Sequence, residues 1–541
     1  MTTTIRFRNF ALVSTLSIAA ACAPRVQPVP APVPVPVPPP APVVAKAPIP
    51  EVNPALPPVP HVTGPLEIKV VYPPANQTIQ SRDSNFVFGS IGNGDAGLTV
   101  NGVLTPVWPN GSFMAWVANP PADAPRYEIV ATTGLDTVRL SHPIQLAPPP
   151  PAVPPPPRDT MKPVVPALYA SLIGPDVYPS DTDRVVTAYA LTGGLQRWFL
   201  MPGTVVKVVA MDTTNAHVQL DSSQMVRIAR ADLKILDTAF KRTALRARAY
   251  RIEASSEWTD VVIPLTEKSP HLVEVGPSSL TLILYGTSGP TGQPKTTAGP
   301  AGSYLASVTS ARSGDQMRYT MGLRGPAYGY LALWEQGLMR FRVRRPPAID
   351  STAPLRGLTI AVDPGHPPIG ATGPTGLWEP VPTLAVGLRM QALLQKKGAT
   401  VVMTRTAHEP VALNDRPTIA RRANSHAFVS IHFNAVPDGV NPMRVHGTAT
   451  YQYHPHSLAL AETTQRGLVK ELSLRDNGVK RDNFAVIRGT WMPSVLAEGA
   501  FIIVPDQEAA IKTPEYQERY ARGLIEGLEN YFRSLAAAVQ R

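Results

Sequence analysis

Two proline runs decide how this chain can be divided. From Pro24 to Pro65 the text is nearly all Pro, Val and Ala, and from Ala147 to Pro157 it reads APPPPAVPPPP. Each proline fixes its own φ and lacks an N–H, so neither run can supply the donors that a helix or sheet needs. Residues 23–64 and 148–160 are therefore predicted as extended linkers, the first reaching on the order of 100 Å at ~3.1 Å per residue. With 62 prolines in 541 residues, about twice the usual share, packed structure is expected between and after these runs. What remains is long enough for three or four domains, each with its own core.

The first residues read as a secretion signal, 1–22. Arg6 and Arg8 form a short basic region, and Phe10 to Ala21 is apolar but only twelve residues long, too short to span a bilayer. Small residues then lead into Cys22, the only cysteine, which stands where a bacterial lipoprotein is cleaved and acylated. The site resembles a lipobox with Ala19 where Leu is usual, and simple cleavage after Ala21 is the alternative. The expectation is an exported protein of the periplasm or cell envelope, anchored to the membrane through lipid on Cys22. A single cysteine leaves the mature domains without a disulfide. The formal charge of +11 suits anionic partners such as wall polymers or phosphate-bearing lipid, and no basic stripe with interleaved aromatics points to nucleic acid.

Between the linkers, short apolar runs alternate with Asn-Gly, Gly-Asn and Pro-Pro turns, which predicts a β-sandwich over 65–147. TVNGVLTPVWPNGSF, with turns at Asn101-Gly102 and Asn110-Gly111, resembles bacterial immunoglobulin-like modules. Beyond the second linker, predicted strands Val205 to Ala210, Ala216 to Leu220 and Met225 to Ile228, separated by tight polar turns, have the rhythm of a small barrel, so 161–238 is expected to be an SH3-like β-domain. Residues 239–350 alternate again, as in SLTLILYG and RFRVRRPP, and predict a further β-rich accessory domain. From Leu355 the pattern changes: strand-like runs at Leu358 to Val362, Thr400 to Thr404, Phe428 to Ile431 and Thr448 to Tyr453 alternate with helical stretches. Two helical faces are predicted, Val381, Leu384, Leu388 and Ala392 on one, Tyr516, Tyr520, Leu524 and Leu528 on the other. The chain is thus expected to be multidomain, with all-β modules followed by an α/β domain over 355–541.

Chemistry concentrates in that last domain. His366 follows its first strand in LTIAVDPGHPPIG, Glu379 stands just before a helix, and His432 closes the strand in AFVSIHFNA. Two imidazoles and a carboxylate are a ligand set for a hydrolytic zinc, leaving a fourth position for water. Glu498, in VLAEGAFI, is an acid among apolar neighbours, a costly place unless it is paired, hydrogen-bonded or neutralised.

In this order the pieces resemble the zinc-dependent N-acetylmuramoyl-L-alanine amidases that begin with a strand and DPGH. The resemblance runs through Asp363-Pro364-Gly365-His366, Gly370-Ala371 and Gly373 leading to Glu379, Thr404-Arg405, Arg416, Ser430 to Asn434, Gly447, Gly478-Val479-Lys480 and the segment from Pro493 to Phe501. It implies zinc on His366, Glu379 and His432, Glu498 as general acid/base, and peptidoglycan as substrate, cut between muramic acid and the L-alanine of the stem peptide. Residue chemistry leaves two other readings open: a wall-binding protein that keeps the domain as a receptor, against which Glu498 argues, and a zinc peptidase that cuts within the stem. Pro367-Pro368 replaces the family's Gly-Gly and is expected to hold His366 extended. Arg405 and Arg416 are expected to pair carboxylates near the sheet. His446, His454 and His456 match no ligand position and are expected at the surface or in a substrate groove. Only Ala435 to His446 separate the second histidine's strand from the next, a loop too short for the inhibitory helix of some relatives.

Overall fold

The computed structural model describes residues 44–50, 53–134, 136–148, 161–174, 185–290 and 295–539. The signal segment with Cys22, most of the first proline run and nearly all of the second lie outside the described residues. The described residues form one compact unit. Among the described residues no helix is long and apolar enough to cross a membrane.

The first β-region is two facing sheets. Lys69–Tyr72, Ser84–Ser90 and Ser112–Ala118 make one, and Val103–Thr105, Gly97–Val100, Arg126–Thr132 and Thr137–Pro143 make the other. Asn101 and Gly102 both take positive φ, 50° and 75°, which is what a two-residue hairpin turn requires. One strand departs from simple alternation. In SNFVFGS, Val87 points into the sandwich, while Phe86 and Phe88 point out and are just as buried. A strand apolar on both faces is covered on both; the outer cover here is the α/β domain. Part of the stretch expected as linker packs there too. Leu56 is buried in the same apolar cluster, and Arg519 Nη1 of the last helix donates to Ala55 O at 2.6 Å.

The next region holds a five-stranded antiparallel sheet, Met225–Ala229, Asn215–Gln219, Val205–Met211, Lys162–Leu172 and Leu233–Ile235 in spatial order, close to the predicted strands. After it come a four-stranded and a five-stranded sheet, which include Ser279–Leu284 and Leu338–Arg344 as expected. Arg344 leaves this region and is buried in the α/β domain, where Nη1 reaches Ser425 O at 2.7 Å and Trp491 O at 3.1 Å.

The α/β domain is built on a six-stranded sheet ordered Thr400–Met403, Thr359–Pro364, Ala427–Asn434, Ser494–Phe501, Thr448–Gln452, Asp476–Arg481. The first four strands run parallel and the last two run opposite to them. Helices Pro380–Lys396, Leu458–Leu472 and Pro514–Val539 pack on one face. Tyr516, Tyr520, Leu524 and Leu528 line that packing as predicted, all fully buried. Of the face predicted for the other helix only Leu384 is buried: Val381, Leu388 and Ala392 are exposed, and Thr383, Val386, Gly387, Met390 and Leu394 face inward with it. Gly387 is needed there because a Cβ would lie 2.6 Å from Pro364 Cγ, so close packing on the first strand outranks hydrophobicity.

Candidate active site

The site begins with a buried acid. Thr359–Pro364 is a β-branched strand, and its Asp363 is fully buried, where a carboxylate persists only if its lone pairs are met. Thr404 Oγ1 at 2.6 Å, Ser430 Oγ at 2.7 Å and Arg416 Nη1 at 2.8 Å meet them. Arg416 also donates to Pro364 O and His366 O, each at 2.9 Å. Arg405 Nε reaches Pro364 O at 2.8 Å, and its Nη2 reaches Gly365 O at 2.9 Å and Pro380 O at 2.8 Å. Arg416 thus pairs a carboxylate as expected, whereas the hydrogen bonds of Arg405 go to carbonyls and to Thr383 Oγ1. Burial, and then the nearby Arg416, push the Arg405 guanidinium down to about 10, which leaves it cationic.

These two cations hold a turn that is not extended. His366 takes φ 60°, contrary to the expectation from the prolines after it. A non-glycine residue there costs on the order of 1–2 kcal/mol, and the carbonyls fixed on both sides offset it. The turn aims the imidazole back toward the sheet. Gly365 admits no side chain, since a Cβ would sit 2.4–2.7 Å from the His432 ring.

Glu379 immediately precedes helix Pro380–Lys396, whose Pro380 suits a first turn. Its Oε2 accepts from Ala371 N at 3.0 Å and meets His366 Nε2 at 3.0 Å; its Oε1 accepts from Phe433 N at 3.1 Å and meets His432 Nδ1 at 3.2 Å. Burial alone would raise this carboxyl, but the hydrogen bonds from His366 and His432, with their charges, hold it well below the usual range. His366, Glu379 and His432 are brought together, and each offers a ligand atom, all within 4.8 Å of one another.

A third buried acid, which sequence reading missed, sets the loop before Glu379. Glu508 is fully buried and accepts from Thr375 N and Thr375 Oγ1 at 3.0 and 2.9 Å and from Leu377 N at 3.2 Å. The available signal was an acid in the apolar run IIVPDQEAAI. Tyr520, known from the sequence only as a core position, donates its hydroxyl to Ala497 O at 2.7 Å and His432 O at 3.1 Å, tying the last helix to both site strands.

Glu498 lies beside His432 in the parallel register, so both side chains leave the same face. Among the described residues its Oε2 is buried without a hydrogen-bond partner. Burial raises this carboxyl well above the ordinary value, the Glu379 charge adds to that, and Lys480 opposes it. His366, Glu379 and His432 could hold a metal ion, and two imidazole nitrogens with a carboxylate oxygen are donors that suit zinc.

Two of the three histidines expected at the surface or in a groove are buried, and His446 is partly exposed. His454 and His456 are 6% and 7% exposed, covered by Phe199 and Tyr330 of the upstream modules, and burial pushes them down to about 4 and 3. His446 Nδ1 meets Gln507 Nε2 at 2.7 Å.

A family profile described as N-acetylmuramoyl-L-alanine amidase matches residues 360–530. The chain is 34% identical over 208 residues to a probable cell wall amidase LytH of Staphylococcus saprophyticus, covering 38% of this chain and 67% of that one. To the Staphylococcus aureus protein of the same name it is 34% identical over 183 residues, 33% of this chain and 60% of that one. Among solved structures, the amidase AmiC2 of Nostoc punctiforme is 32% identical, with a TM-score of 0.31, over 34% of this chain and 98% of that one. An N-acetylmuramoyl-L-alanine amidase of Clostridium difficile 630 is 30% identical, with a TM-score of 0.31, over 32% and 96%.

Proposed function

Because the chain belongs to the N-acetylmuramoyl-L-alanine amidase family, we propose that it is an exported zinc hydrolase that cuts peptidoglycan between N-acetylmuramic acid and the L-alanine of the stem peptide. The observation that carries this reading is the gathering of His366, Glu379 and His432 beside Glu498, whose buried Oε2 has no hydrogen-bond partner among the described residues. The first three would hold the metal. Zinc, when bound, supplies Lewis acidity to water and to the scissile carbonyl.

The chain's own residues supply the rest. Glu498 takes a proton from the attacking water and returns one to the departing amine. The unbonded Oε2 suits that shuttle, because among the described residues no hydrogen bond to it must break first. Asp363, Arg405 and Arg416 fix the turn that aims His366, and Glu508 fixes the loop that delivers Glu379. The upstream regions act as immunoglobulin-like, SH3-like and further β modules that present the enzyme to the wall, and lipid on Cys22 anchors it to the membrane. Mass analysis of muropeptides after digestion by the purified protein tests the reading. Loss of the whole stem peptide is expected, abolished by chelation and restored by zinc; trimming within the stem would make the protein a peptidase instead.

A further inference from the structure

The first sandwich meets the α/β domain through a polar joint as well as an apolar one. Tyr72 stacks on Phe86 and Phe88 at 4.9 and 5.7 Å, and these rings share one continuous apolar cluster with Val436 and Met443 of the loop that leaves the His432 strand. Asp438 sits in that loop. Its Oδ1 accepts from the Tyr72 hydroxyl and from Asn85 Nδ2 at 3.0 Å, and its Oδ2 accepts from Gln80 N at 2.8 Å. Asn85 reciprocates, accepting from Gly439 N at 3.2 Å. Gly439 takes φ 79°, and a Cβ on it would come within 3.1 Å of Ser81 Cβ. Three segments of the sandwich thus converge on one carboxylate.

The joint reaches both sides of the site. The loop from Ala435 begins three residues after His432 and ends at His446, which meets Gln507. Gln507 in turn accepts from Phe501 N at 2.8 Å, and its neighbour Glu508 holds the loop that precedes Glu379. Strand Ser112–Ala118 of the sandwich contacts helix Pro505–Ile511, which carries both residues.

We infer that Asp438 is a positioning residue, and that through it the first sandwich shapes the active site and is not a detachable spacer. The inference rests on the amidase reading for its kinetic consequence. A spacer that only concentrates enzyme on the wall alters apparent affinity and leaves the chemical step alone. A brace on the segments that aim the ligands acts on turnover, because small misplacements of reacting groups are costly.

The test uses the full-length zinc-loaded protein and a soluble muropeptide, so that wall binding does not enter. Asp438→Ala is expected to lower kcat about tenfold with KM within about twofold and bound zinc unchanged. Amide exchange should quicken in residues 435–446. Asn85→Ala should do less, and the double variant should lose less than the sum of the two single losses, since the Asn85–Asp438 bond is removed by either change while Asn85 also holds Gly439 N. Asp438→Asn, which keeps one acceptor oxygen, should recover part of the loss. If Asp438→Ala does not fold, Tyr72→Phe removes the hydroxyl that donates to Asp438 and accepts from Gln77 Nε2 at 3.3 Å, and should show the same pattern more weakly. Unchanged kcat and exchange in a folded variant, or a loss confined to KM, overturns the inference. An inactive wild-type protein would sink the amidase reading instead, and the exchange measurement would still decide whether Asp438 holds the loop.

Discussion

The α/β domain carries two histidine pairs at opposite ends of one sheet. His366 and His432 lie 4.8 Å apart between ring centroids, nearly perpendicular, with side chains 19% and 16% exposed and Glu379 bridging them. His454 and His456 lie 5.4 Å apart, nearly parallel. They are buried among Tyr330, Phe199 and Tyr453; His454 Nε2 meets Arg488 O at 2.7 Å, and the charges of Arg481 and Arg488 disfavour an imidazolium there. Proximity of imidazoles is common to both pairs. What separates them is the bridging carboxylate of Glu379 and the partial exposure of the first pair to solvent.

The largest expected effect removes that acid. Glu379→Ala should take bound zinc from about one per chain to near zero and turnover to background, since two imidazoles hold the ion less well than three ligands. Metal analysis of the purified variant checks this, and zinc retained at parity would mean that the buried pair or another group binds it. Next comes Glu498→Gln, which keeps shape and loses the base. Zinc should stay while turnover falls by roughly 10²–10⁴-fold, and full activity would assign the base elsewhere. Glu508→Gln leaves one acceptor where there were two and should weaken metal affinity by about 10–100-fold with the three ligands intact, read by competition with a chelator.

The smallest effect belongs to the buried pair and concerns stability. Burial lowers both pKa values in the folded protein, while the unfolded chain titrates near 6.5, so between these limits the unfolded state binds more protons. Their contribution is complete above about pH 6.5 and is lost as pH falls toward 4. The thermal midpoint should drop over that window, and His456→Phe should flatten the drop relative to wild type. An identical acid limb in the variant would show that His456 does not titrate there.

The contrast between the pairs also marks what the sequence made legible. His366, Glu379, His432 and Glu498 could be read because each stands in a short motif at a strand or helix end, and the motifs keep one order along the chain. The tyrosine face of the last helix could be read because its period is strong and its residues are large. His454 and His456 could not, since what buries them comes from Phe199 and Tyr330, more than a hundred residues away. The inward face of helix Pro380–Lys396 was hidden because Thr383 and Gly387 are chosen for fit, while Val381 and Leu388 remain in solvent. Phe86 and Phe88 did carry a signal, a strand apolar on both faces, but its meaning depends on a surface that local sequence does not contain.

Asp363 has a consequence for the order of events in folding. Its partners Thr404, Arg416 and Ser430 are 41, 53 and 67 residues away along the chain, so the acid can be satisfied only after three separate loops have closed. Contacts of that separation form late, because each loop must be closed before the contact rewards it. The turn that carries His366 hangs on the same network. On the zinc reading, a chain still emerging or half assembled would have no finished site with which to capture metal, and loading would be confined to protein that has already completed its sheet.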